Sequence, residues 1–403
     1  MKITCRICEK KLSKKILSLK DMPLTDDLIE ADKQNRKEYI KDINIYSCDH
    51  CGTVQNPDDF DHHAYYRDYQ YSSGYSDFTK NFMKEYAKET LEAFKRVNGR
   101  VAESALEIGS GDGQQLMQYK SFGIENLMGV EPSEYLTKIA RENEIETENV
   151  LFGTETLNRF DKNYDICLSS YTLDHVRQPI DYFTASYQLL VDGGILALEV
   201  HDLNKIVDRT EFCLFEHEHT IYMSPSDICY LLEQSGFSII SVNPLSSKIV
   251  RGNSMIVIAQ KNMKPDYNFV RKIRQPYLEN LQNRVFSTIE KIDNWIDSLP
   301  SSARLTGFGA GGRGVMTIAA LSKHERIEAL FDSNYESEKY LTPKTRVPIV
   351  GQNEWHNYKD TYCIIFSFGY YNEIVQNLIS KGFDKKKIIS LLDFYTNNND
   401  SLS

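Results

Sequence analysis

The sequence predicts an α/β protein with two sheets wound on both faces by helices, preceded by a small metal-bound unit. Three observations carry this. Short apolar runs (SALEIG, NLMGVEP, YDICLSS, GGILALEV, SMIVIAQ) alternate with helical stretches, the signature of βαβ units. The alternation breaks near Lys264 and Pro265 and resumes after Pro300 with RLTGFGAGG, RIEALFD, TYCIIFSFG and KKIISLLD. Two CxxC pairs lie within the first 60 residues. At about 150 residues per domain, a chain of 403 residues holds two or three units.

Hydrophobic residues make up 41% and charged ones 26%, so most of the chain can bury enough apolar surface to fold. Disorder is expected only in the tail around 397–403. The net charge is −10, and no long Lys/Arg run interleaves with aromatics, which excludes the broad cationic footprint of a nucleic-acid binder. The start of the chain lacks the apolar stretch of a signal peptide, and no apolar run reaches the roughly 18 residues that span a bilayer. A cytoplasmic location, no membrane partner and a monomer or homodimer are therefore expected. Thiols stay reduced in that compartment, so Cys pairs are read first as metal ligands.

Residues 1–60 are expected to form a zinc-binding domain. Cys5, Cys8, Cys48 and Cys51 supply four thiolates, which suit tetrahedral Zn2+ and leave no open position, so the site is structural. His50, inside the second pair, is an alternative ligand; Cys167, Cys213, Cys229 and Cys363 are isolated and read as packing residues. Residues 61–100 hold a Tyr-rich segment and then a helix over Asp77 to Val97, with an apolar stripe of Phe78, Phe82, Tyr86, Leu91 and Phe94. The first α/β unit spans 101–262. Residues 263–403 combine a connecting helix, expected over 268–297, with the second.

The first unit carries a strand that runs into a glycine-rich turn and a helix: Glu107, Gly109, Gly111, Asp112, Gly113 and Gln114. Glycines are needed where backbone turns sharply and a ligand approaches closely. The next strand ends in Gly129-Val130-Glu131-Pro132, and a carboxylate there can accept both hydroxyls of a ribose. Beyond the fourth strand stand Asp174 and His175, placed where open α/β sheets bind ligands. After the fifth strand comes Glu216-His217-Glu218-His219 before a helix start at Ser224. A carboxylate beside an imidazole raises its basicity, as a proton-abstracting base requires. The same run is alternatively a metal site or a solvated loop; alternating residues on a strand share one face, and the HExxH spacing of zinc helices is absent.

The turn from Glu107 to Gln114 resembles motif I of the class I S-adenosylmethionine (SAM) methyltransferases, in which the acidic residue orients the methionine portion of the cofactor. The whole chain resembles one family, the three-domain bacterial sugar C-methyltransferases that act on nucleotide-linked keto-deoxysugars. The likeness runs through the Cys pairs, Tyr69-Gln70-Tyr71-Ser72-Ser73-Gly74, the glycine turn and His175-Val176. It continues through Glu218-His219 with Ser224, Arg251-Gly252-Asn253-Ser254, and Gly309 to Gly314 with Asp332 and Asn334. The resemblance implies a class I methyltransferase sheet between a zinc-binding domain and a second Rossmann-like domain, with SAM and structural Zn2+ as cofactors. It implies His219 as the base that removes the proton alpha to a ketone, with Glu218 beside it and His175 and Tyr71 lining the sugar pocket. Glu107, Gly109, Gly111, Asp112, Gly113, Gln114, Glu131 and Pro132 would bind the cofactor, and Ser72, Ser73, Glu216, Asn253 and Arg313 the sugar nucleotide.

Three positions depart from the family pattern: Glu216 replaces a Tyr, His201-Asp202 a Pro-Tyr pair, and Phe368-Gly369 a Trp-Asn pair. All bear on the acceptor, so O- or N-methylation of a related sugar nucleotide is the alternative reaction. In the second α/β unit, Gly307-Phe308-Gly309-Ala310-Gly311-Gly312 satisfies GxGxxG and Asp332 closes the next strand, which is also the pattern of an NAD-binding oxidoreductase domain. The resemblance implies instead a cofactor-free unit whose Arg313 meets a diphosphate. A non-catalytic zinc-ribbon module is opposed by the intact Glu107, glycine turn and Glu131.

Overall fold

The computed structural model describes residues 3–58, 60–67, 69, 77–245, 253–265, 278–337, 339–368 and 371–395. The N-terminal unit is built on β1 (Lys14–Pro23), β2 (Ile29–Glu30), β3 (Ile40–Ser47) and β4 (Val54–Gln55), followed by a short helix α1 (His62–Arg67). β1 pairs antiparallel with β3, and two register shifts bend β1 so that Ile16, Leu17, Leu19 and Met22 are all buried.

Helix α2 (Asp77–Asn98) falls where the apolar stripe predicts it, with Tyr86 and Phe94 buried and Phe82 and Leu91 packed at the edge of the same cluster. The central unit then runs β5 (Ser104–Ile108), α3 (Gln114–Ser121), β6 (Asn126–Val130), α4 (Glu134–Glu142), β7 (Thr147–Glu148), β8 (Tyr164–Ser170), α5 (Pro179–Leu189) and β9 (Leu190–His201). It continues with α6 (Leu203–Arg209), β10 (Ile221–Tyr222), α7 (Pro225–Gln234), β11 (Phe237–Pro244) and β12 (Ser254–Lys261). The sheet order is β11-β12-β9-β8-β5-β6-β7. β5 to β9 are parallel, and β12 inserts antiparallel between β9 and β11. Every residue of β5 is buried, as a strand covered on both faces requires. Chain order reverses at β5, which lies between β6 and β8, and such a switch point opens a crevice beyond the carboxyl ends of the strands.

The C-terminal unit comprises α8 (Leu281–Ser298), β13 (Leu305–Phe308), α9 (Gly312–Ala320), β14 (Ile327–Phe331), β15 (Tyr340–Leu341), β16 (Ile349–Val350), β17 (Tyr362–Ile365), α10 (Tyr371–Ser380) and β18 (Ile388–Ser390). Its sheet, β16-β14-β13-β17-β18, is parallel throughout. The connecting helix starts at Leu281; the first part of its expected span, 268–277, lies outside the described residues.

The units share cores. Leu17, Leu19 and Ile45 of the N-terminal sheet, Phe212 and Phe215 of the central unit, and Val285, Met316 and Ile364 of the C-terminal unit belong to one buried cluster. β10 completes the N-terminal sheet through β4, and β2 pairs with β15. Among the described residues no helix is long and apolar enough to cross a membrane.

Candidate active site

A cavity of about 740 Å3 lies beyond the carboxyl ends of β5, β6, β8 and β9 and is lined by all three units. Its two halves differ in chemistry.

One half is the glycine turn. Gly109 stands at φ +72°, in the left-handed region, and a Cβ there would meet Thr172 Oγ1 at 2.3 Å, so only glycine fits. The turn is held against the next strand: Gly109 and Ser110 N–H both donate to the Val130 carbonyl, at 2.8 and 3.1 Å. Glu131 Oε2 accepts from Gly111 N–H and its Oε1 from Ser133 N–H, both at 2.9 Å. Burial pushes the Glu131 carboxyl up to about 6 against those two bonds. A Cβ on Gly111 would face open space.

Glu107 is 3% exposed, and its Oε2 has no partner among the described residues. Burial, with Asp112 and Glu131 nearby, holds its carboxyl well above the usual range. A buried carboxylate oxygen without a donor costs about 1–3 kcal/mol, a cost that a cationic ligand group removes. Glu107, Gly109, Gly111, Asp112, Gln114, Glu131 and Pro132 all line the cavity. Gly113 instead caps α3 at φ +82° and packs toward Ile145. The orphaned Glu107 oxygen, the open glycine backbone and the carboxylate at the end of β6 fit SAM, whose sulfonium and ammonium are cationic and whose ribose offers two hydroxyls.

The other half surrounds the Glu216 to His219 run. This run is a loop rather than a strand, so the face alternation expected of a strand does not apply. Glu216, Glu218 and His219 line the cavity, whereas His217 turns away, its Nε2 3.0 Å from the Met22 carbonyl. His219 Nδ1 donates to the Leu214 carbonyl at 2.9 Å, which leaves Nε2 unprotonated in the neutral ring, 3.7 Å from Glu216 Oε2. Glu218 Oε1 accepts from Thr25 N–H at 2.8 Å and from the Thr25 and Tyr65 hydroxyls at 3.1 and 3.2 Å; its Oε2 is buried and unpartnered among the described residues. Burial is the main cause that pushes Glu216 up to about 8 and Glu218 up to about 7, and Asp26 adds to both.

His175 Nδ1 lies 2.8 Å from the Tyr66 hydroxyl, and its ring meets that of His219 edge-on at 4.8 Å. Asn253 donates to Glu211 Oε2 at 3.3 Å, and both Asn253 and Arg313 border the cavity. The Arg313 guanidinium stacks over Phe368 at 5.1 Å, and its Nε is buried without a partner among the described residues. Gly311 and Gly312 open onto the same cavity, and Asp332 accepts from Ala310 N–H at 3.0 Å, bracing the turn. Tyr71, Ser72 and Ser73 lie outside the described residues.

Thr25, Asp26, Tyr65, Tyr66 and His201 also line the cavity and were not among the sequence candidates. The density of tyrosines in 61–77 signalled Tyr65 and Tyr66, and the departure of His201-Asp202 from the family pattern signalled His201; Thr25 and Asp26 had no such signal.

Away from the cavity, the sulfurs of Cys5, Cys8, Cys48 and Cys51 lie within 4.8 Å of one another, with Cys5–Cys51 and Cys8–Cys48 at 3.6 Å. Four thiolates about 2.3 Å from zinc stand about 3.8 Å apart, so the group fits a closed tetrahedral site. Gln55 Nε2 donates to Cys5 Sγ at 3.0 Å, the outer-shell bond such ligands need. His50 is not part of the group.

The sheet order, the glycine turn at its switch point and the acidic strand end define a class I SAM-dependent methyltransferase. Three family models match along the chain: a zinc binding domain over residues 5–66, a methyltransferase domain over 78–242 and a C-methyltransferase C-terminal domain over 271–390. The C-methyltransferase NovU of Streptomyces niveus is 20% identical, with 93% of this chain and 91% of that protein covered. The ubiquinone biosynthesis O-methyltransferase of Ruegeria sp. (strain TM1040) is 24% identical over 36% of this chain and 61% of its own. Among solved structures, the plantazolicin methyltransferase BamL, in complex with a triazolic desmethylPZN analog and SAH, is similar over 45% of this chain and 85% of its own, at 18% identity and a TM-score of 0.37. The chain is a SAM-dependent methyltransferase that carries these three domains and is similar to a C-methyltransferase along nearly its whole length, with SAM as methyl donor and zinc in its N-terminal domain.

Proposed function

We propose that the protein methylates the carbon alpha to the ketone of a nucleotide-linked keto-deoxysugar, with His219 as the base. The observation that carries this reading is the hydrogen bond from His219 Nδ1 to the Leu214 carbonyl, which leaves Nε2 as the proton-accepting nitrogen of the neutral ring, in a residue that lines a cavity shared with the cofactor cradle. A ketone acidifies its neighbouring C–H, and the base must stand within hydrogen-bond reach of that proton. His219 takes the proton at Nε2 while the C–H electron pair moves into the enolate. When bound, SAM supplies the electrophilic methyl group that this carbon accepts. Glu107 would hold the cationic amino-acid end of the cofactor and Glu131 its ribose. His175 and Tyr71 would hold the enolate oxygen.

The likeness to NovU over nearly the full length supports a carbon acceptor. Arg313, a cation that lines the cavity beside the C-terminal glycine turn, suits the diphosphate of a sugar nucleotide. The NAD reading of that turn draws no comparable support, because Gly311, Gly312 and Arg313 open onto the methyl-transfer cavity itself.

The test is solvent-deuterium exchange at the alpha carbon of a nucleoside diphosphate 4-keto-6-deoxyhexose, without SAM, followed by a mass gain of one methyl group once SAM is added. Methyl transfer with no exchange would move the acceptor to oxygen or nitrogen. Glu131→Ala is expected to weaken SAM binding roughly tenfold to a hundredfold, the loss of charge-assisted hydrogen bonds. Calorimetry with SAM checks this, and an unchanged Kd would remove Glu131 from the cofactor site.

A further inference from the structure

Three imidazoles converge on the acceptor half, and they differ in what holds them. His219 donates from Nδ1 to a backbone carbonyl, and His175 meets a tyrosine hydroxyl. His201 has a carboxylate at hydrogen-bond distance: Asp174 Oδ2 lies 2.9 Å from its Nδ1, whereas Glu216 Oε2 stands 3.7 Å from His219 Nε2. His201 ends β9 and Asp174 sits in the turn after the neighbouring β8, so the sheet itself sets this distance. Asp174 is 3% exposed; burial pushes its carboxyl up, but the imidazoles of His201, His219 and His175 outweigh that and hold it below the ordinary value.

With Nδ1 committed to Asp174, Nε2 is the nitrogen left for the cavity, which His201 lines. Its ring stands 5.3 Å from that of His219 and 4.6 Å from that of Tyr171. Tyr171 sits at φ +50°, a strained region for a bulky residue, with its N–H on the Glu199 carbonyl. Among the described residues, the titratable groups in contact with the His201 ring include Asp174 and Tyr171 after β8 and His219 on its loop, with Glu199 two residues back on β9.

A carboxylate beside a buried imidazole favours its charged form, and only an uncharged imidazole has a lone pair with which to accept a proton. Paired groups whose surroundings favour opposite protonation states divide acid and base roles. We propose that His201 is a second catalytic residue, whose Asp174-bound imidazolium meets the carbonyl oxygen of the acceptor while His219 removes the neighbouring proton. This rests on the reaction proposed above. As the C–H bond breaks, its proton goes to His219 Nε2, its electron pair forms the C=C bond, and the carbonyl π pair moves to oxygen, where the His201 Nε2–H hydrogen bond meets the charge. When the carbon acquires the methyl group the ketone reforms, and His201 keeps its proton. Asp174 is a positioning residue that fixes the ring and sustains its charge.

Deuterium exchange into thymidine diphosphate 4-keto-6-deoxyglucose, without SAM, reads this step directly. His201→Gln should slow exchange and kcat together by about 100-fold, the usual effect of removing one oxyanion donor, with SAH binding unchanged by calorimetry. Asp174→Asn, nearly isosteric, should slow both by a smaller factor with KM unmoved. Exchange at the wild-type rate in either variant overturns the role of the pair and leaves His219 as the base. Failure of the wild-type protein itself to exchange the proton removes the underlying reaction, and this role with it.

Discussion

Replacing His219 with alanine is expected to lower methyl transfer by about 1,000-fold, in the middle of the range general bases contribute, while SAH binds with its wild-type Kd. The two effects separate because the ring lies in the acceptor half, and its hydrogen bond runs to Leu214, away from the glycine turn that would hold the cofactor. Stability should fall by only about 1 kcal/mol, since one hydrogen bond is lost and the ring already borders a cavity. Exchange at the alpha carbon should disappear with the same substitution. An alanine variant that keeps exchanging the proton at the wild-type rate would transfer the base role to His201 or His175. A variant that loses SAH binding would show instead that His219 shapes the cradle.

Local signals made much of this architecture legible. β5, β6, β8 and β12 fall on the apolar runs that predict them, α2 on its stripe, and the four cysteines on one another, because each depends on a pattern within one element or on the chemistry of one residue type. The glycine turn is legible for the same reason: a left-handed φ at Gly109 and a buried acid before it are requirements of a few consecutive residues. What escaped comes from pairings across long stretches of chain. Thr25 meets Glu218 across 193 residues, Tyr66 meets His175 across 109, and β2 pairs with β15. The Glu216 to His219 run left a strand and a solvated loop both open. It is a loop because its backbone is drawn to other elements, with Asn56 Nδ2 donating to the Glu216 carbonyl and Thr220 N–H to that of Asp174. No pattern within the run encodes those partners, so the direction in which each side chain points was not available from it.

The same long-range pairings tie the zinc group to the acceptor loop, and zinc removal is accordingly expected to abolish activity while the central sheet stays folded. Cys5, Ile7, Leu12, Cys48 and Cys51 pack in one cluster with Met223 and Ile221 of the central unit. From Cys51 the chain passes directly into β4, whose pairing with β10 and whose neighbour Asn56 frame the loop that carries His219. Metal binding to a closed cysteine site contributes about 10–16 kcal/mol to local folding, far more than so short a sheet can replace. A strong chelator, or Cys48→Ser, should therefore release one equivalent of zinc, measured colorimetrically, and add a low-temperature melting transition in calorimetry. Methyl transfer should be lost with that transition, whereas SAH binding should be retained or only weakened, because the glycine turn is braced by β6 and not by the zinc unit. Zinc-free protein with an unchanged melting profile and full activity would show that the four thiols hold their places without a metal and that the loop owes its shape to β10 alone.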